Sequence, residues 1–145
     1  DRQDSTEEKL EAIATAQKLK ILIMDDEEMV RDAAKSILEA SGHEVLVAKE
    51  GSEAIGIYQD KLMGNDAFDL LIMDLTVPGG LGGKEAIREI LSIDPDAKAV
   101  VASGYSADPI MANFRQHGFV AALAKPFGMK KLNDLINSLS FTVKD

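Results

Sequence analysis

Acidic, hydroxyl and ammonium side chains stand at the ends of several apolar runs in this sequence. Asp25 and Asp26 follow one run, Asp74 follows another, and Ser103 and Lys125 follow the last two. Three carboxylates gathered in one pocket repel each other and lose solvation, and Mg2+, which takes oxygen ligands, relieves this cost. With the metal and Lys125 neutralising charge, Asp74 would attack a phosphoryl group as the nucleophile and Ser103 would hydrogen-bond to the product. These residue types therefore predict phosphoryl-transfer chemistry.

This chemistry requires the apolar runs to be neighbouring strands. The runs are Ile21–Met24, Val45–Ala48, Leu70–Met73, Ala99–Ala102 and Phe119–Ala124. Helical patterns lie between them, and a spacing of roughly 20 to 30 residues is typical of parallel strands joined by crossover helices. The carboxyl ends of parallel strands share one edge of the sheet, where ligands bind. The sequence predicts an α/β fold with one doubly wound, five-stranded parallel sheet and helices on both faces.

The stretch from Phe68 to Gly80 is the clearest strand of this set. Its largely apolar residues Leu70–Leu75, with Asp74 among them, run into a turn at Pro78. An unbroken run of this kind indicates a strand that is buried on both faces. Cap and turn residues bound the helical patterns: Gly42, Gly64, Pro95 and Gly118 follow them, and Asp108-Pro109 opens the fourth.

The first 19 residues precede the first strand. Residues 1–19 are predicted to be a helical extension or linker, and residues 20–145 to be the folded domain. Ser5-Thr6-Glu7-Glu8 offers a capping box, and the apolar residues of Ser5–Ala16 fall on one helix face. The segment is either a linker or a helix that binds a partner, and the sequence leaves both interpretations open.

The composition excludes several classes of protein. The chain has 145 residues, of which 46% are hydrophobic, so one domain with a real core is expected. A net charge of −9 argues against nucleic-acid binding through this segment, and the lack of cysteine excludes disulfides and thiolate zinc sites. No apolar run approaches the ~20 residues of a membrane span, so we expect a cytoplasmic protein without membrane contact through this segment. The composition does not predict an oligomeric state.

The acidic pair has a simpler interpretation when it is taken alone. Asp25 and Asp26 precede a helical pattern, so Asp26 could be the helix cap, with Glu27 and Glu28 favoured by the helix dipole. A lone aspartate, serine or lysine at a strand end likewise carries little information. The prediction of a site depends on all of these residues standing at strand ends in the same chain.

The motifs at the strand ends resemble those of the receiver domain of two-component response regulators. They are Met24-Asp25-Asp26-Glu27, Leu71-Ile72-Met73-Asp74 with Pro78, Ala102-Ser103-Gly104 and Ala124-Lys125-Pro126-Phe127. The resemblance covers about Lys20 to Leu139 and implies a flavodoxin-like fold with strand order 2-1-3-4-5, the order known for receivers. The loops that follow Asp74 and Ser103 are similar to those of receivers at the carboxyl end of hybrid sensor histidine kinases.

The resemblance implies a phosphoacceptor function for Asp74. This residue would take a phosphoryl group from a phosphohistidine on a histidine kinase or on a histidine phosphotransfer domain. Asp26, Asp74 and the backbone carbonyl of Thr76 would bind Mg2+, with Asp25 acting through water. A receiver would not be an enzyme acting on a separate substrate, because it phosphorylates itself.

The resemblance also implies how the phosphoryl group would be sensed. Ser103 and Lys125 would contact it, the peptide bond before Pro126 would be cis, and the surface of the fourth helix, fifth strand and fifth helix would switch. The aromatic residue that usually stands three positions before the lysine is replaced here by Ala122. Tyr105 is the candidate to take over the switching role of that ring.

Two other functions remain as alternatives. Haloacid-dehalogenase-like phosphatases also form an aspartyl phosphate, but they carry a second aspartate two residues after the nucleophile, where this chain has Thr76. A pseudo-receiver, folded but not phosphorylated, would be a binding module. A nucleotide-binding P-loop is excluded, because Pro78 and Glu85 stand where glycine and serine or threonine are needed.

Overall fold

The computed structural model describes residues 18–105 and 107–139. The predicted helix at residues 5–16 and most of the predicted extension lie outside this part of the chain. The strands are β1 (Lys20–Met24), β2 (Glu44–Ala48), β3 (Leu70–Asp74), β4 (Ala99–Ser103) and β5 (Ala121–Ala124). The helices are α1 (Glu28–Ala40), α2 (Gly51–Met63), α3 (Gly83–Ile93), α4 (Pro109–Ala112) and α5 (Met129–Ser138), and a 3-10 helix spans Phe114–His117.

The five strands form one parallel sheet in the order β2-β1-β3-β4-β5. The predicted fold class and strand order are therefore confirmed. Every residue of β3 and β4 is buried, which is the burial expected of central strands that are covered on both faces. The strand register aligns Met24 with Met73 and Asp74 with Ala102. The ends of β1, β3 and β4 consequently meet at one edge of the sheet.

Alternate residues of each strand face two separate apolar cores. In β1, Leu22 packs on one face of the sheet and Ile21 on the other, as the two-residue period of a strand requires. The first core includes buried residues of α2, α3 and α4, and the second includes buried residues of α1 and α5. Leu19, which was assigned to the extension, is buried in the second core.

The segment between β4 and β5 is less regular than the single helix predicted between Asp108 and Gly118. The Asp108 carboxylate accepts the Ile110 amide at 2.9 Å and caps a helix that ends after four residues. A 3-10 turn follows, and Gly118 ends it with a φ of 97°, a left-handed conformation that glycine adopts without strain. The loop after β4 is therefore followed by a helix of four residues and a 3-10 helix of four residues, not by one regular helix.

A buried tyrosine joins α2 to the end of α3. Tyr58 is buried, stacks on Phe68 and donates a 2.5 Å hydrogen bond from its hydroxyl to the Asp94 carboxylate. Burial and then the bond to Asp94 raise the pKa of Tyr58, so the hydroxyl keeps its proton. This contact joins the two helices beside the first core.

Replacing Tyr58 with phenylalanine is expected to lower the free energy of unfolding by about 1.5 kcal/mol, because a bond to a charged acceptor is lost inside the fold. Urea denaturation of the variant measures this loss. Tyr105→Phe is the matched control, because the Tyr105 side chain is 67% exposed, and we expect it to unfold at the wild-type urea concentration. Equal stability of Tyr58→Phe and wild type would contradict the prediction.

No helix within residues 18–105 and 107–139 is long and apolar enough to cross a membrane.

Candidate functional site

Backbone hydrogen bonds bring the predicted site residues to one edge of the sheet. The amide of Asp25 donates to the Ala48 carbonyl at 3.1 Å, which extends β1 beside β2. The amide of Lys125 donates to the Ser103 carbonyl at 2.9 Å, which extends β5 beside β4. Since β3 lies between β1 and β4, Asp74 is flanked by Asp25 on one side and by Ser103 and Lys125 on the other.

The ammonium group of Lys125 connects the two buried carboxylates. Its Nζ lies 2.5 Å from Oδ2 of Asp25 and 3.1 Å from Oδ1 of Asp74. The three side chains are 13%, 3% and 8% exposed respectively, so water screens these charges poorly. Residues that are 51 and 100 positions apart in the sequence are therefore held in one charged cluster. One positive charge faces two negative ones.

The imbalance of charge shifts the protonation of the cluster. Burial and then the Asp25 charge raise the pKa of Asp74 to about 7, although Lys125 opposes the rise. A hydrogen-bond contact with the Asp26 carboxyl adds to it. Burial is the largest single influence on Lys125 and favours its neutral form, but Asp25 and Asp74 together raise its pKa. The lysine is therefore charged, and Asp74 lacks a full counter-charge.

An acidic cluster at the end of β1 fits a divalent cation. One carboxylate oxygen from each of Asp25, Asp26 and Glu27 lies within 4.8 Å of the others. Oxygen donors of this kind are the ligands that Mg2+ prefers. Asp26 and Glu27 are exposed, which leaves room for the water ligands that Mg2+ retains. The Asp26 carboxyl contributes to the raised pKa of Asp74, so Asp74 lies beside this cluster.

Glu27 is the member of this acidic cluster that the sequence analysis does not name among the candidate metal ligands. It was read only as a residue favoured by the dipole of α1, and the run of three acidic residues after β1 was the available signal. The N-cap of α1 is Glu27 and not Asp26, and no side chain caps this helix. Asp25 instead accepts the Glu27 amide at 2.9 Å, and Arg31 donates to the Asp25 carbonyl at 2.8 Å. Both bonds fix the end of β1.

Ser103 is buried at the site, but its hydroxyl is hydrogen-bonded to the backbone of its own loop. Its Oγ accepts the Tyr105 amide at 3.0 Å and donates to the Tyr105 carbonyl at 3.4 Å. The hydroxyl is not hydrogen-bonded to Asp74 or Lys125 among the contacts of the described residues. Donating to a phosphoryl group on Asp74 would therefore require the Ser103 hydroxyl to give up its hydrogen bond to the Tyr105 carbonyl.

The other residues expected at the site lie on the surrounding loops. Thr76 is exposed, two residues after Asp74, on the wall of a pocket of about 260 Å3 that Asp108 and Ile110 also line. The Lys125–Pro126 peptide bond is cis. The two switch candidates differ in their surroundings. Ala122 pairs with Val101 and packs against the first core, whereas the Tyr105 ring is mostly exposed.

A family model described as the response regulator receiver domain matches residues 21–137 of this chain. The chain belongs to the response regulator receiver family. This receiver is 31% identical over 122 residues to the chemotaxis protein CheY of Thermotoga maritima, a match that covers 83% of the receiver and 97% of CheY. It is therefore a receiver domain of the kind found in CheY-like response regulators, which are signalling proteins.

Longer proteins also contain a similar receiver. The sensor kinase CckA of Brucella abortus is 29% identical over 119 residues, which cover 82% of this receiver and 12% of the kinase. The receiver likewise spans 45% of a response regulator receiver protein of Anaeromyxobacter. These longer relatives therefore contain regions beyond the one that they share with this receiver.

Solved structures agree with the fold. The response regulator TrrA of Thermotoga maritima, solved in complex with Mg2+ and beryllium fluoride, is 28% identical to this receiver with a TM-score of 0.69. That likeness covers 86% of this receiver and 100% of TrrA.

Proposed function

We propose that Asp74 is the phosphoacceptor of this receiver and that Asp25, Asp26, Ser103 and Lys125 serve its phosphorylation. The observation that carries the proposal is the Lys125 ammonium group held between the carboxylates of Asp25 and Asp74, at 2.5 and 3.1 Å. A buried carboxylate with a raised pKa and one shared counter-ion is poised to react with an electrophile and to gain charge neutralisation from a metal.

The reaction is a transfer of one phosphoryl group. An oxygen of the ionised Asp74 carboxylate forms a bond to phosphorus, and the bond from phosphorus to the donor breaks with its electron pair staying on the donor. For a phosphohistidine donor this leaving atom is an imidazole nitrogen. Lys125 already contacts Asp74 and is placed to bind an equatorial oxygen of the transferred group, while Ser103 can donate to another after giving up its bond to the Tyr105 carbonyl.

Mg2+ is the cofactor proposed for this site. Asp26, Asp74 and the Thr76 carbonyl would hold the ion, with Asp25 acting through water and Glu27 as a further carboxylate of the cluster. When it is bound, the ion neutralises charge on the phosphoryl oxygens. The structure of TrrA in complex with Mg2+ and beryllium fluoride supports this assignment by similarity.

The proposed donor is a histidine kinase or a histidine phosphotransfer domain. The similarity to one segment of the sensor kinase CckA supports a partner of this class and is consistent with a receiver that is part of a hybrid kinase. Phosphorylation would move Ser103 away from Tyr105 and so change the loop after β4. The affected surface would be that of α4, β5 and α5. Ala122 stands where receivers usually have an aromatic residue, so Tyr105 would provide the aromatic side chain of the switch.

Incubation with acetyl phosphate and Mg2+ tests the assignment. We expect intact-protein mass spectrometry to show a gain of one phosphoryl group on the wild type and none on Asp74→Asn. Asp32→Asn, which removes an exposed carboxylate of α1, is the control and should gain the group as the wild type does. A folded wild type that gains no phosphoryl group under these conditions would indicate a pseudo-receiver. Release of phosphate from small phosphomonoesters would instead indicate a phosphatase.

A further inference from the structure

The backbone carbonyl of Asp25 marks the point where the pairing of β1 with β2 stops. The Asp25 amide still donates to the Ala48 carbonyl at 3.1 Å, but within residues 18–105 and 107–139 no backbone amide donates to the Asp25 carbonyl. The Arg31 side chain takes that place, because its Nη1 donates to this carbonyl at 2.8 Å. An arginine of α1 therefore completes the hydrogen bonding at the end of β1.

The same arginine holds both ends of the acidic loop that follows β1, residues 25–27. Its backbone amide donates to the Glu27 carbonyl at 3.0 Å, while its side chain holds the Asp25 carbonyl. The Asp25 carboxylate adds a bond inside the loop, where its Oδ1 accepts the Glu27 amide at 2.9 Å. The peptide units on both sides of Asp26 are therefore hydrogen-bonded.

These bonds determine the direction in which the Asp26 carboxylate points. A residue has two soft backbone torsions, which relate the peptide unit before it to the peptide unit after it. The unit before Asp26 is held by Arg31 and the unit after it is held by Asp25, so both torsions of Asp26 are restrained. Asp26 itself is exposed. The bond from Arg31 therefore orients a side chain that core packing does not hold.

The Arg31 guanidinium is bonded to a loop that carries three carboxylates, but it pairs with none of them. In the described part of the chain it takes part in no ion pair. The N-terminal end of a helix also disfavours a cation, so the dipole of α1 does not account for an arginine at this place. Because the guanidinium binds a backbone oxygen, it leaves the carboxylate oxygens of Asp26 and Glu27 to a metal ion.

We propose that Arg31 is a positioning residue of the metal site, which holds the Asp25 carbonyl and through it the direction of the Asp26 carboxylate. The inference rests on the proposed function, because the Mg2+ site that Arg31 serves is proposed there. In this role Arg31 touches neither the ion nor the phosphoryl group. Its charge opposes the binding of a cation, whereas its hydrogen bond favours it, so the two contributions have opposite signs.

The opposite signs make Arg31→Met a sharp test. Methionine keeps the stem of the side chain but has neither the charge nor the donor. Loss of the charge alone would tighten the binding of Mg2+, whereas loss of the hydrogen bond would weaken it. We expect the dissociation constant, measured by calorimetry, to rise about tenfold, the lower end of the effect of losing a group that orients a metal ligand. A constant that is unchanged or lower would overturn the proposal.

Lys35→Met is the matched control, because Lys35 stands one turn further along α1 and is half-buried as Arg31 is. This variant removes the same charge from the same helix without removing the bond to the Asp25 carbonyl. We expect the dissociation constant for Mg2+ to change less than about twofold, since salt screens a charge that lies further from the site. An equal rise in both variants would also overturn the proposal.

Arg31→Lys tests whether a donor at this place restores the binding of Mg2+. A lysine near the start of a helix can reach a carbonyl at the end of the preceding strand, as Lys131 of α5 does when it donates to the Ala124 carbonyl at 3.1 Å. Lysine keeps the charge that repels the ion, yet we expect Arg31→Lys to bind Mg2+ more tightly than Arg31→Met. The reverse order would show that the charge governs binding and would overturn the proposal.

The metal-free protein provides a second measurement. The Asp25 carbonyl loses its donor in Arg31→Met, so we expect its 13C signal to move upfield from the wild-type position, and to stay in place in Lys35→Met. A signal that does not move in Arg31→Met would overturn the proposal. If Arg31→Met does not fold, Arg31→Gln decides in its place, because glutamine is also neutral and is too short to reach the carbonyl.

The outcomes distinguish this inference from the proposed function. If Arg31→Met binds Mg2+ as tightly as the wild type does, the positioning role is wrong even when Asp74 is phosphorylated normally. A wild type that binds no Mg2+ would overturn both the metal site and the role of Arg31 in it, whereas a wild type that binds Mg2+ but gains no phosphoryl group would overturn only the acceptor assignment.

Discussion

Replacing Lys125 with methionine is expected to lower the free energy of unfolding of the metal-free protein by about 3 kcal/mol at pH 8 and to abolish phosphoryl uptake. Methionine fills the volume of the lysine stem but leaves Asp25 and Asp74 facing each other without a counter-charge. Removing one partner from a buried ionic cluster typically costs about 3 to 5 kcal/mol. We expect the lower end of that range, because Asp74 can take up a proton and so relieve part of the repulsion.

Urea denaturation in the presence of a chelator measures this loss. Mg2+ should restore part of the stability of Lys125→Met, because the ion replaces the missing positive charge, but it should not restore phosphoryl uptake. The control is Lys130→Met, which breaks the exposed Lys130–Asp134 pair of α5 at 2.9 Å. Exposed pairs contribute at most about 1 kcal/mol. Equal losses in the two variants would show that Lys125 does not hold the buried carboxylates together.

The residues of the Asp25–Asp74–Lys125 cluster could be predicted from the sequence, but the hydrogen bonds between them could not. Asp25, Asp74 and Lys125 were assigned to one edge because each follows an apolar run, and parallel strands place such positions together. That logic fixes backbone positions to within a few ångströms. Whether Lys125 binds one carboxylate or both depends on side-chain rotamers and on the strand register, and neither has a signature in the chain.

Strand boundaries show the same limit. β3 was predicted at Leu70–Met73, and the observed strand, Leu70–Asp74, is one residue longer. The agreement is close because an uninterrupted apolar run that ends in a turn has few conformations other than a buried strand. The fifth run was predicted to begin at Phe119, but β5 begins at Ala121. Phe119 is buried as its apolar side chain requires, yet its amide donates to the Phe114 carbonyl and closes the preceding 3-10 turn. Hydrophobicity predicted the burial of Phe119, whereas a local hydrogen bond decided its conformation.

Ser103 is a second residue whose position was predictable and whose contacts were not. Its place after β4 indicated that it reaches the edge of the sheet, and it is buried there. A serine hydroxyl can bond to a backbone group of its own loop as readily as to a neighbouring strand, and here it bonds to Tyr105. The sequence therefore predicted where Ser103 lies but not the groups to which its hydroxyl is hydrogen-bonded.

The same imbalance of charge leads to an opposite expectation for Asp74→Asn: the metal-free variant should be more stable than the wild type at pH 8. The folded state raises the pKa of Asp74 from 3.8 to about 7. A carboxyl whose pKa is raised by folding contributes its full stability below its unfolded pKa, and that contribution is lost as the pH rises through the folded pKa. Through this residue the wild type should therefore lose stability between about pH 4 and pH 7, whereas asparagine, which does not ionise, should not.

Since each pKa unit corresponds to about 1.4 kcal/mol, the gain from Asp74→Asn at pH 8 is at most about 4 kcal/mol and should fall to nearly zero near pH 4. Urea denaturation at both pH values, with a chelator present, measures it. Asp134→Asn removes a carboxylate from the exposed pair with Lys130 and is the control for changes in net charge. An equal gain at pH 4 and pH 8 would contradict the prediction. It would mean that ionisation of Asp74 does not destabilise the folded protein, so that no metal is needed to relieve its charge.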